Sequence, residues 1–345
     1  MSELRFINRV REVEAFKDWA SESRATPLYI YGPEGCGKTR LLREFVKRFN
    51  DFFTDGVAVY IDALEDRDVK KALTSSMLID ISKIGLEAYM DLLHQSIPLG
   101  HALSRSISLI IDKIAEKAFR RSLKNKHILI IIDDVVRAIG LDRVEHYVKW
   151  LYELKWKLEE EYKPKAINFI VTTSEGKSLK LIFRHRHTHP KFIWNLDKKS
   201  FEELFYELTP PPNIKIDDVW NLLGGNPGKL VELAKDFRWD LESMVKIYTG
   251  KLKDVATIIY SKGLTEELKA LINNPDNGFK TPTESMLTLI DILVETNLFM
   301  RTGITLAVSS DFKPDKEVGI GEDFGWQIPI YRDILLKLLK KFGNE

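Results

Sequence analysis

Residues 27–45 read PLYIYGPEGCGKTRLLREF, an aliphatic run that stops at Gly32 and resumes as a helical pattern after several small or charged residues. Gly32 and Gly37, followed by a Lys-Thr pair, fit the pattern G-x-x-x-x-G-K-[ST], with a predicted strand before it and a predicted helix after it. In that setting, backbone N–H groups and the positive end of the helix surround a phosphate. The stretch therefore predicts a phosphate-binding loop, called here the phosphate loop (residues 32–39).

Each residue at the end of this loop has an expected task. Lys38 is expected to reach the β- and γ-phosphates of a nucleotide, and Thr39 to hold Mg²⁺. Cys36 occupies a variable position, where a plain filler and a redox switch are both open because a helix start can lower the pKa of a thiol. The residues expected to contact the nucleotide here are Gly32, Pro33, Glu34, Gly35, Cys36, Gly37, Lys38, Thr39 and Arg40.

Short apolar runs recur between helical patterns in the first 195 residues. They are nearly continuous in hydrophobicity, as strands buried on both faces are, rather than alternating. Strands that alternate with helices predict an α/β fold, here a P-loop core with a five-stranded parallel sheet. The gap before the third run is too long for one crossover and predicts two or three inserted helices. The runs are residues 27–31, 56–62, 127–134, 167–173 and 191–196.

The strand pattern stops after residue 197, and short amphipathic helices follow, separated by glycine- and proline-rich segments. From about residue 255 the pattern is helix, helix, hairpin and closing helix, which is typical of a winged helix. We therefore predict an α/β core (1–196), a helical lid (197–254) and a winged-helix-like domain (255–345).

The composition narrows the class of protein. No run approaches 18 uncharged apolar residues and the first residues lack the apolar core of a signal peptide, so we expect a cytoplasmic protein without a membrane segment. The single cysteine excludes an internal disulfide. Charged residues make up 30% of the chain and glutamines are only Gln95 and Gln327, which favours a heat-adapted source.

Acidic and hydroxyl residues end two of the predicted strands. Asp133 closes the run HILIIIDD and is expected to hold Mg²⁺ through water, while Asp134 could orient or activate the attacking water. The alternative is a buried strand that ends in a solvated Asp-Asp turn. Thr172, Thr173 and Ser174 end the next predicted strand and could sense the γ-phosphate, with Thr173 as the candidate catalytic residue, although threonines often end strands without such a role.

The order of phosphate loop, acidic strand end and polar strand end resembles the archaeal P-loop ATPases of the STAND class, which are relatives of the AAA+ initiator ATPases. The resemblance covers essentially the whole chain and implies ATP or ADP with Mg²⁺ as cofactors, and a C-terminal winged helix. In the family an N-terminal segment packs beside the adenine. Phe6, Arg9 and Glu12 match that segment, with Glu14 as a further candidate, and the match assigns Arg9 to the nucleotide.

A Gly-x-Pro element in the family's helical lid reaches back toward the nucleotide, and Gly225 to Pro227 match it. Pro227 can start a helix because its missing N–H is not needed there. Its rigid apolar ring could pack against adenine, or the segment could be an ordinary connector between two helices.

Two departures from the family pattern affect the expected chemistry. Many relatives have Asp-Glu at the acidic strand end, whereas Asp133-Asp134 places the second carboxylate one methylene shorter, which favours slow hydrolysis. Related switch proteins carry an arginine after the sensor threonines, where this chain has Ser174 and Glu175. The arginine that senses the γ-phosphate is therefore unassigned.

Residues 177–191 contain no acidic residue, and three interpretations are open. Three alternating histidines would share one face of a strand, as metal ligands can. Arg184 or Arg186 could instead touch a phosphate, in the same chain or across a subunit boundary, by analogy with arginine fingers. The third interpretation is a solvated basic surface. The histidines are His185, His187 and His189.

Three functional classes fit these features: an ATPase switch acting on a macromolecular partner, an ATP-gated DNA-binding initiator or regulator, and a nucleotide-binding interaction module with little hydrolysis. Residues 255–345 carry a net charge of −3 and lack the cationic footprint of a DNA clamp. A protein partner is therefore at least as expected as DNA. Any duplex binding should be weak and depend on residues 177–191, and an oligomer is compatible with the sequence.

Overall fold

The computed structural model describes residues 4–63, 73–75, 124–173, 176–307 and 313–342. The helices predicted before the third strand lie outside the described residues, as do Ser174 and Glu175. By packing, the chain forms two units. The sheet unit contains Arg9–Tyr31 and Lys38–Lys191, and the helical unit contains the residues up to Asn8, Gly32–Gly37 and the chain from Phe192 onward.

The sheet has the strand order β3-β2-β4-β5-β1-β6. β1 pairs in parallel with β5, and β4 pairs in parallel with both β2 and β5. The predicted α/β class with a five-stranded parallel sheet is confirmed. A sixth strand, β3, pairs antiparallel with β2 and was not predicted, because three residues are too few to show a periodicity. The strands are β1 (Leu28–Tyr31), β2 (Val57–Asp62), β3 (Leu73–Ser75), β4 (His127–Asp133), β5 (Ala166–Thr173) and β6 (His189–Phe192).

Helices of the sheet unit bury an apolar stripe against the strands. In the second helix the buried side chains include Leu41, Leu42 and Phe45, which recur at the spacing of one helix face. Phe45 packs on Phe16 of the first helix at 5.3 Å between ring centroids. These helices are α1 (Val10–Ser21), α2 (Lys38–Lys47), α3 (Phe49–Phe52), α4 (Val135–Ile139), α5 (Val144–Tyr162) and α6 (Gly176–Arg184).

The carboxyl ends of the parallel strands meet at one edge of the sheet. Asp62 of β2 is in register with Asp133 of β4, and Ile132 is in register with Val171 of β5. The polar residues that end these strands are therefore neighbours, at the edge where open α/β sheets bind their ligands.

One hydrophobic core extends through the helical unit from Leu196 to Leu339. Its elements are α7 (Lys198–Glu207), α8 (Ile216–Leu223), α9 (Pro227–Lys235), α10 (Leu241–Ser261), α11 (Thr265–Asn273), α12 (Asn277–Lys280), α13 (Glu284–Glu295), β7 (Phe299–Arg301), β8 (Phe324–Trp326) and α14 (Pro329–Phe342). β7 and β8 form the predicted hairpin as an antiparallel pair.

The structure divides the second half of the chain differently from the sequence prediction. The predicted boundary between residues 254 and 255 lies inside α10, a continuous helix of 21 residues. Met244, Tyr248, Leu252 and Ala256 are buried at intervals of four residues across that boundary. The lid and the C-terminal segment therefore share one core.

The last predicted strand also shifts. The sequence predicted residues 191–196, whereas β6 ends at Phe192. Ile193 and Leu196 are buried within the helical unit. Their apolar character therefore reflects burial, which does not by itself distinguish a strand from a packed connection. Among the residues that the structure describes, no helix is both long and apolar enough to cross a membrane.

Candidate functional site

Asp133 ends β4 as a buried carboxylate, with 2% of its surface exposed. Its Oδ2 accepts hydrogen bonds from the hydroxyls of Thr39 and Tyr60, each at 2.6 Å between oxygens. Its Oδ1 accepts a third hydrogen bond from the Thr172 hydroxyl. A buried charge is costly unless it is paired or hydrogen-bonded. Three hydroxyls from three different elements therefore hold this carboxylate in one orientation.

Thr39 and Asp133 together fit a magnesium ion. Mg²⁺ prefers hard oxygen ligands and usually keeps several of its waters. A threonine hydroxyl beside a carboxylate supplies one direct ligand and one oxygen that can bind the ion through water. The structure thus brings together the two residues that the sequence assigned to the metal.

Sequence reasoning missed Tyr60, the third donor to Asp133. The signal was present, because Tyr60 lies two residues before the end of β2 and therefore faces the same side of the sheet as Asp62. The guanidinium of Arg43 packs over the Tyr60 ring at 4.9 Å, and its Nη2 lies 3.1 Å from an Asp62 carboxylate oxygen. Burial, reinforced by the Asp133 carboxylate, raises the pKa of the Tyr60 phenol well above its usual value. Tyr60 therefore stays a hydrogen-bond donor throughout the physiological pH range.

The two threonines that end β5 have different neighbours. Thr172 donates to Asp133 and its Oγ1 accepts a hydrogen bond from the Asp134 backbone N–H at 3.0 Å. The Thr173 hydroxyl lies 2.7 Å from the Ser178 hydroxyl on α6. Successive residues of a strand face opposite sides of the sheet, so only one of the pair can face Asp133. The structure gives that position to Thr172, although the sequence favoured Thr173.

Asp134, the expected base, lies between β4 and α4 with a left-handed backbone, at φ 53°. Aspartate tolerates this region better than most residues other than glycine. The side chain is half-buried, at the same sheet edge as Asp133. Asp134 thus lies at the sheet edge where the sequence predicted it, next to Asp133 in the chain.

The phosphate loop needs its glycines. Gly35 and Gly37 have φ values of 82° and 96°, which favour glycine. A Cβ on Gly32 would lie 1.9 Å from the Ile193 carbonyl oxygen, so no side chain fits there. The Cys36 side chain is 1% exposed, with its Sγ 3.9 Å from the same oxygen. Buried thiols are generally inert, which favours the filler role.

The other residues of the phosphate loop, and Arg40 after it, differ in what they contribute: a backbone turn, exposed side chains and one buried lysine. The Pro33 carbonyl accepts a hydrogen bond from the Cys36 N–H at 3.2 Å, which closes a turn. The side chains of Glu34 and Arg40 are exposed, whereas Lys38, the first residue of α2, is buried at 7% exposure.

Arg9 and Pro227, which the sequence assigned to the nucleotide, both lie at the start of a helix. Arg9 precedes α1 with φ 69°, is buried, and forms an ion pair with Glu12 at 2.7 Å. Pro227 is the first residue of α9, and a Cβ on Gly37 would lie 3.9 Å from its Cγ. In the helical unit, Pro227 therefore adjoins the phosphate loop.

The basic run does not place its histidines on one strand face. His185 and His187 follow α6, and only His189 lies in β6. The His187 ring stacks on Tyr152 at 4.3 Å, and the His189 ring packs on Trp19 at 4.9 Å. Among the described residues, no group of three potential metal ligands occurs. The spacing argument for a metal site therefore fails.

The two arginines of this run lie at the surface. Arg184 forms an ion pair with Glu145, and Arg186 is exposed.

A family described as an ATPase domain predominantly from Archaea matches residues 6–233. The chain belongs to this family. The match covers the phosphate loop, Asp133, Thr172 and Pro227, so the site just described lies within the archaeal ATPase domain. A P-loop ATPase domain of archaeal type is therefore shown for most of the chain.

Relatives of this archaeal ATPase domain include two proteins of Pyrococcus abyssi (strain GE5 / Orsay), each named an uncharacterized ATP-binding protein. One is 23% identical over 245 residues, which cover 70% of this chain and 73% of the relative. The other is 23% identical over 279 residues, with 72% and 78% covered. Among solved structures, the Aeropyrum pernix ORC2 protein (ADPNP-ADP complexes) aligns over 100% of this chain and 97% of its own, with a TM-score of 0.42 and 13% identity.

The Tyr60 hydroxyl gives the first testable prediction. Tyr60→Phe removes one of the three donors to Asp133 and should raise the Mg²⁺ concentration for half-maximal ATP turnover about tenfold, as loss of a partner to a metal-binding group commonly does. It should also lower the free energy of unfolding by about 1–2 kcal/mol, because a buried carboxylate loses a hydrogen bond. Magnesium titrations of turnover and thermal unfolding measure the two effects.

Tyr29→Phe is the matched control. Tyr29 is equally buried on β1, and its hydroxyl has no hydrogen-bond partner among the described residues. Its removal should leave the magnesium titration unchanged. Equal effects of the two substitutions would contradict a special role for Tyr60.

Proposed function

We propose that this archaeal ATPase-domain protein is a Mg²⁺-dependent ATPase that acts as a nucleotide-driven switch on a macromolecular partner. The observation that carries the proposal is the convergence of the Thr39, Tyr60 and Thr172 hydroxyls on Asp133. A structural carboxylate needs such partners too, but here one of them is the threonine of a phosphate loop. That combination supports metal-dependent phosphate chemistry.

The proposal gives each of these residues a chemical role. Thr39 and Asp133 would hold Mg²⁺, which would neutralise charge on the β- and γ-phosphates. Lys38 binds the same phosphates. Asp134 orients the attacking water and accepts its proton, and Thr172 positions Asp133. The short Asp134 side chain favours slow turnover, which suits a switch that must remain in one nucleotide state long enough to act.

Steady-state turnover is the direct test. Release of phosphate from ATP should require Mg²⁺ and stop when EDTA is added. ATP binding without measurable turnover would instead support an interaction module that hardly hydrolyses its nucleotide. Failure to bind ATP or ADP at all would overturn the proposal.

An ATP-gated DNA-binding regulator is the second candidate. The order α11, α13, β7, β8 and α14 supports a winged-helix arrangement and the proposed membership of the STAND class. The net charge of −3 in residues 255–345 argues against strong DNA binding by this part. A protein partner for the C-terminal segment is therefore the preferred form of the switch.

We expect duplex DNA binding to be weak at physiological salt and to depend on the basic run. Arg184→Ala with Arg186→Ala should weaken duplex binding and reduce the slope of log K against log salt by about 2, because each phosphate contact contributes roughly one unit. Lys340→Ala with Lys341→Ala removes the same charge from α14 and should have little effect. Tight, sequence-selective binding that depends on the α14 lysines would favour the DNA-binding candidate.

A further inference from the structure

Three buried amide side chains surround the backbone of the phosphate loop within the helical unit. Asn226, Gln327 and Asn195 are 0%, 3% and 6% exposed, respectively. They come from the start of α9, from the link between β8 and α14, and from the segment after β6. Apolar side chains could fill such a core, and burying amides is costly unless they are hydrogen-bonded. Three buried amides at one place therefore indicate a specific function for their hydrogen bonds.

The amides bind both peptide groups of Glu34. The Glu34 N–H donates to Gln327 Oε1 at 2.9 Å, and the Glu34 carbonyl accepts a hydrogen bond from Asn226 Nδ2 at 2.9 Å. The Gly228 N–H donates to the Gly35 carbonyl, also at 2.9 Å. The loop backbone is therefore fixed on either side of Gly35, whose φ of 82° gives the loop its turn.

The same residues also bind one another. Asn226 Nδ2 donates to Asn195 Oδ1, and Asn195 Nδ2 donates to the backbone carbonyl of Gln327, each at 2.9 Å. Asn226 Oδ1 accepts from the Lys229 N–H at 3.0 Å and so caps α9. Buried polar groups that are all satisfied rigidify a site, whereas loss of one partner leaves another group unpaired.

We infer that Asn195, Asn226 and Gln327 are positioning residues for the phosphate loop, and that through Gln327 they couple nucleotide affinity to the C-terminal segment. The inference rests on the proposed binding of nucleotide by this loop. Gln327 follows β8, precedes α14 and binds Glu34, so it links residues 324–342 to the phosphate loop.

The coupling has a defined route. The Gln327 backbone N–H donates to the Leu298 carbonyl at 3.0 Å, which fixes Gln327 to the residue before β7. A partner that shifts the β7–β8 hairpin or α14 would therefore move the acceptor of the Glu34 N–H. By thermodynamic reciprocity, nucleotide in the loop must then change the affinity of the C-terminal segment for that partner.

Two substitutions in the full chain separate positioning from structure. Gln327→Met keeps the length of the side chain and removes the acceptor for the Glu34 N–H. Asn226→Asp keeps an oxygen to cap α9 and removes both N–H donations, to Glu34 and to Asn195. Asp240→Ala is the control, because Asp240 caps α10 by accepting from the Ser243 N–H at 3.0 Å in the same unit.

Amide hydrogen exchange without nucleotide tests the positioning. Exchange across residues 32–37 should accelerate about tenfold in Gln327→Met and Asn226→Asp, and should be unchanged in Asp240→Ala. The dissociation constant for Mg-ADP, measured with a fluorescent ADP analogue, should rise about tenfold in the same two variants. The double variant should lose less than the product of the single effects, because both act on Glu34.

The possible results distinguish failure of the proposed function from failure of the inference about the buried amides. Wild-type protein that binds no ADP would remove the proposed function, whatever the exchange data show. Wild-type binding that stays within twofold in both variants, with loop exchange equal to that of Asp240→Ala, would overturn the inference while leaving the proposed function intact. ADP should also slow exchange across residues 324–328 in the wild type, and no change there would overturn the coupling.

Discussion

Lys38→Ala is expected to abolish ATP binding and to lower turnover at least about a hundredfold, the scale found when a preorganised charge-stabilising group is removed. Lys38 is the first residue of α2, directly after Gly37, where a phosphate would meet the helix start. The substitution leaves the apolar face of α2 unchanged, so the melting temperature should change little. Binding of a fluorescent ATP analogue, turnover and thermal unfolding together measure the result.

Lys47→Ala is the matched control for this prediction. Lys47 is an exposed lysine at the last turn of the same helix, so its loss removes the same charge far from the loop. It should bind and hydrolyse ATP like the wild type. Wild-type turnover in Lys38→Ala would show that residues 32–39 are not a phosphate-binding loop.

The two aspartates after β4 should respond differently to removal of their charge. Asp134→Asn should bind Mg-ATP normally and hydrolyse it about a hundredfold more slowly, which is the scale of a lost general base. Asparagine accepts the left-handed backbone of this position, so the fold should be kept. Binding and single-turnover hydrolysis, measured separately, test the prediction.

Asp133→Asn should act on the metal instead. The neutral amide keeps the shape of the side chain but loses the charge that three hydroxyls orient, so the gain in ATP affinity on adding Mg²⁺ should disappear. ATP binding in EDTA should be unchanged. If both variants lose binding and hydrolysis to the same extent, the division of labour between Asp133 and Asp134 is incorrect.

Local sequence patterns were sufficient to predict the phosphate loop and the parallel strands of the sheet. The loop could be predicted because its glycines, Lys38 and Thr39 lie within eight consecutive residues, and the turn that the glycines make follows from short-range sterics. The parallel strands could be predicted because burial on both faces requires continuous apolar runs. Asp133 followed from the same pattern, since an acidic residue directly after a continuous apolar run marks the end of a buried strand.

The partners of Asp133 depend on contacts between distant parts of the chain, which only the tertiary structure shows. Tyr60 donates to Asp133 across 73 positions, and the choice of Thr172 over Thr173 depends on strand register and on which side of the sheet each faces. Strand alternation places Tyr60 on the same side of the sheet as Asp62, but no local pattern identifies Asp133 as its partner, because tyrosines and threonines are common in strands.

The partners of the buried amides are the contacts that local sequence patterns predict least. Gln327 binds Glu34 across 293 positions, and α10 runs through a predicted domain boundary because its apolar stripe continues into the shared core. A glutamine near the end of a chain carries no pattern that predicts its partner. Hydrophobic periodicity determines which residues are buried, whereas the partner of a buried polar group is set only when the tertiary structure brings the two together.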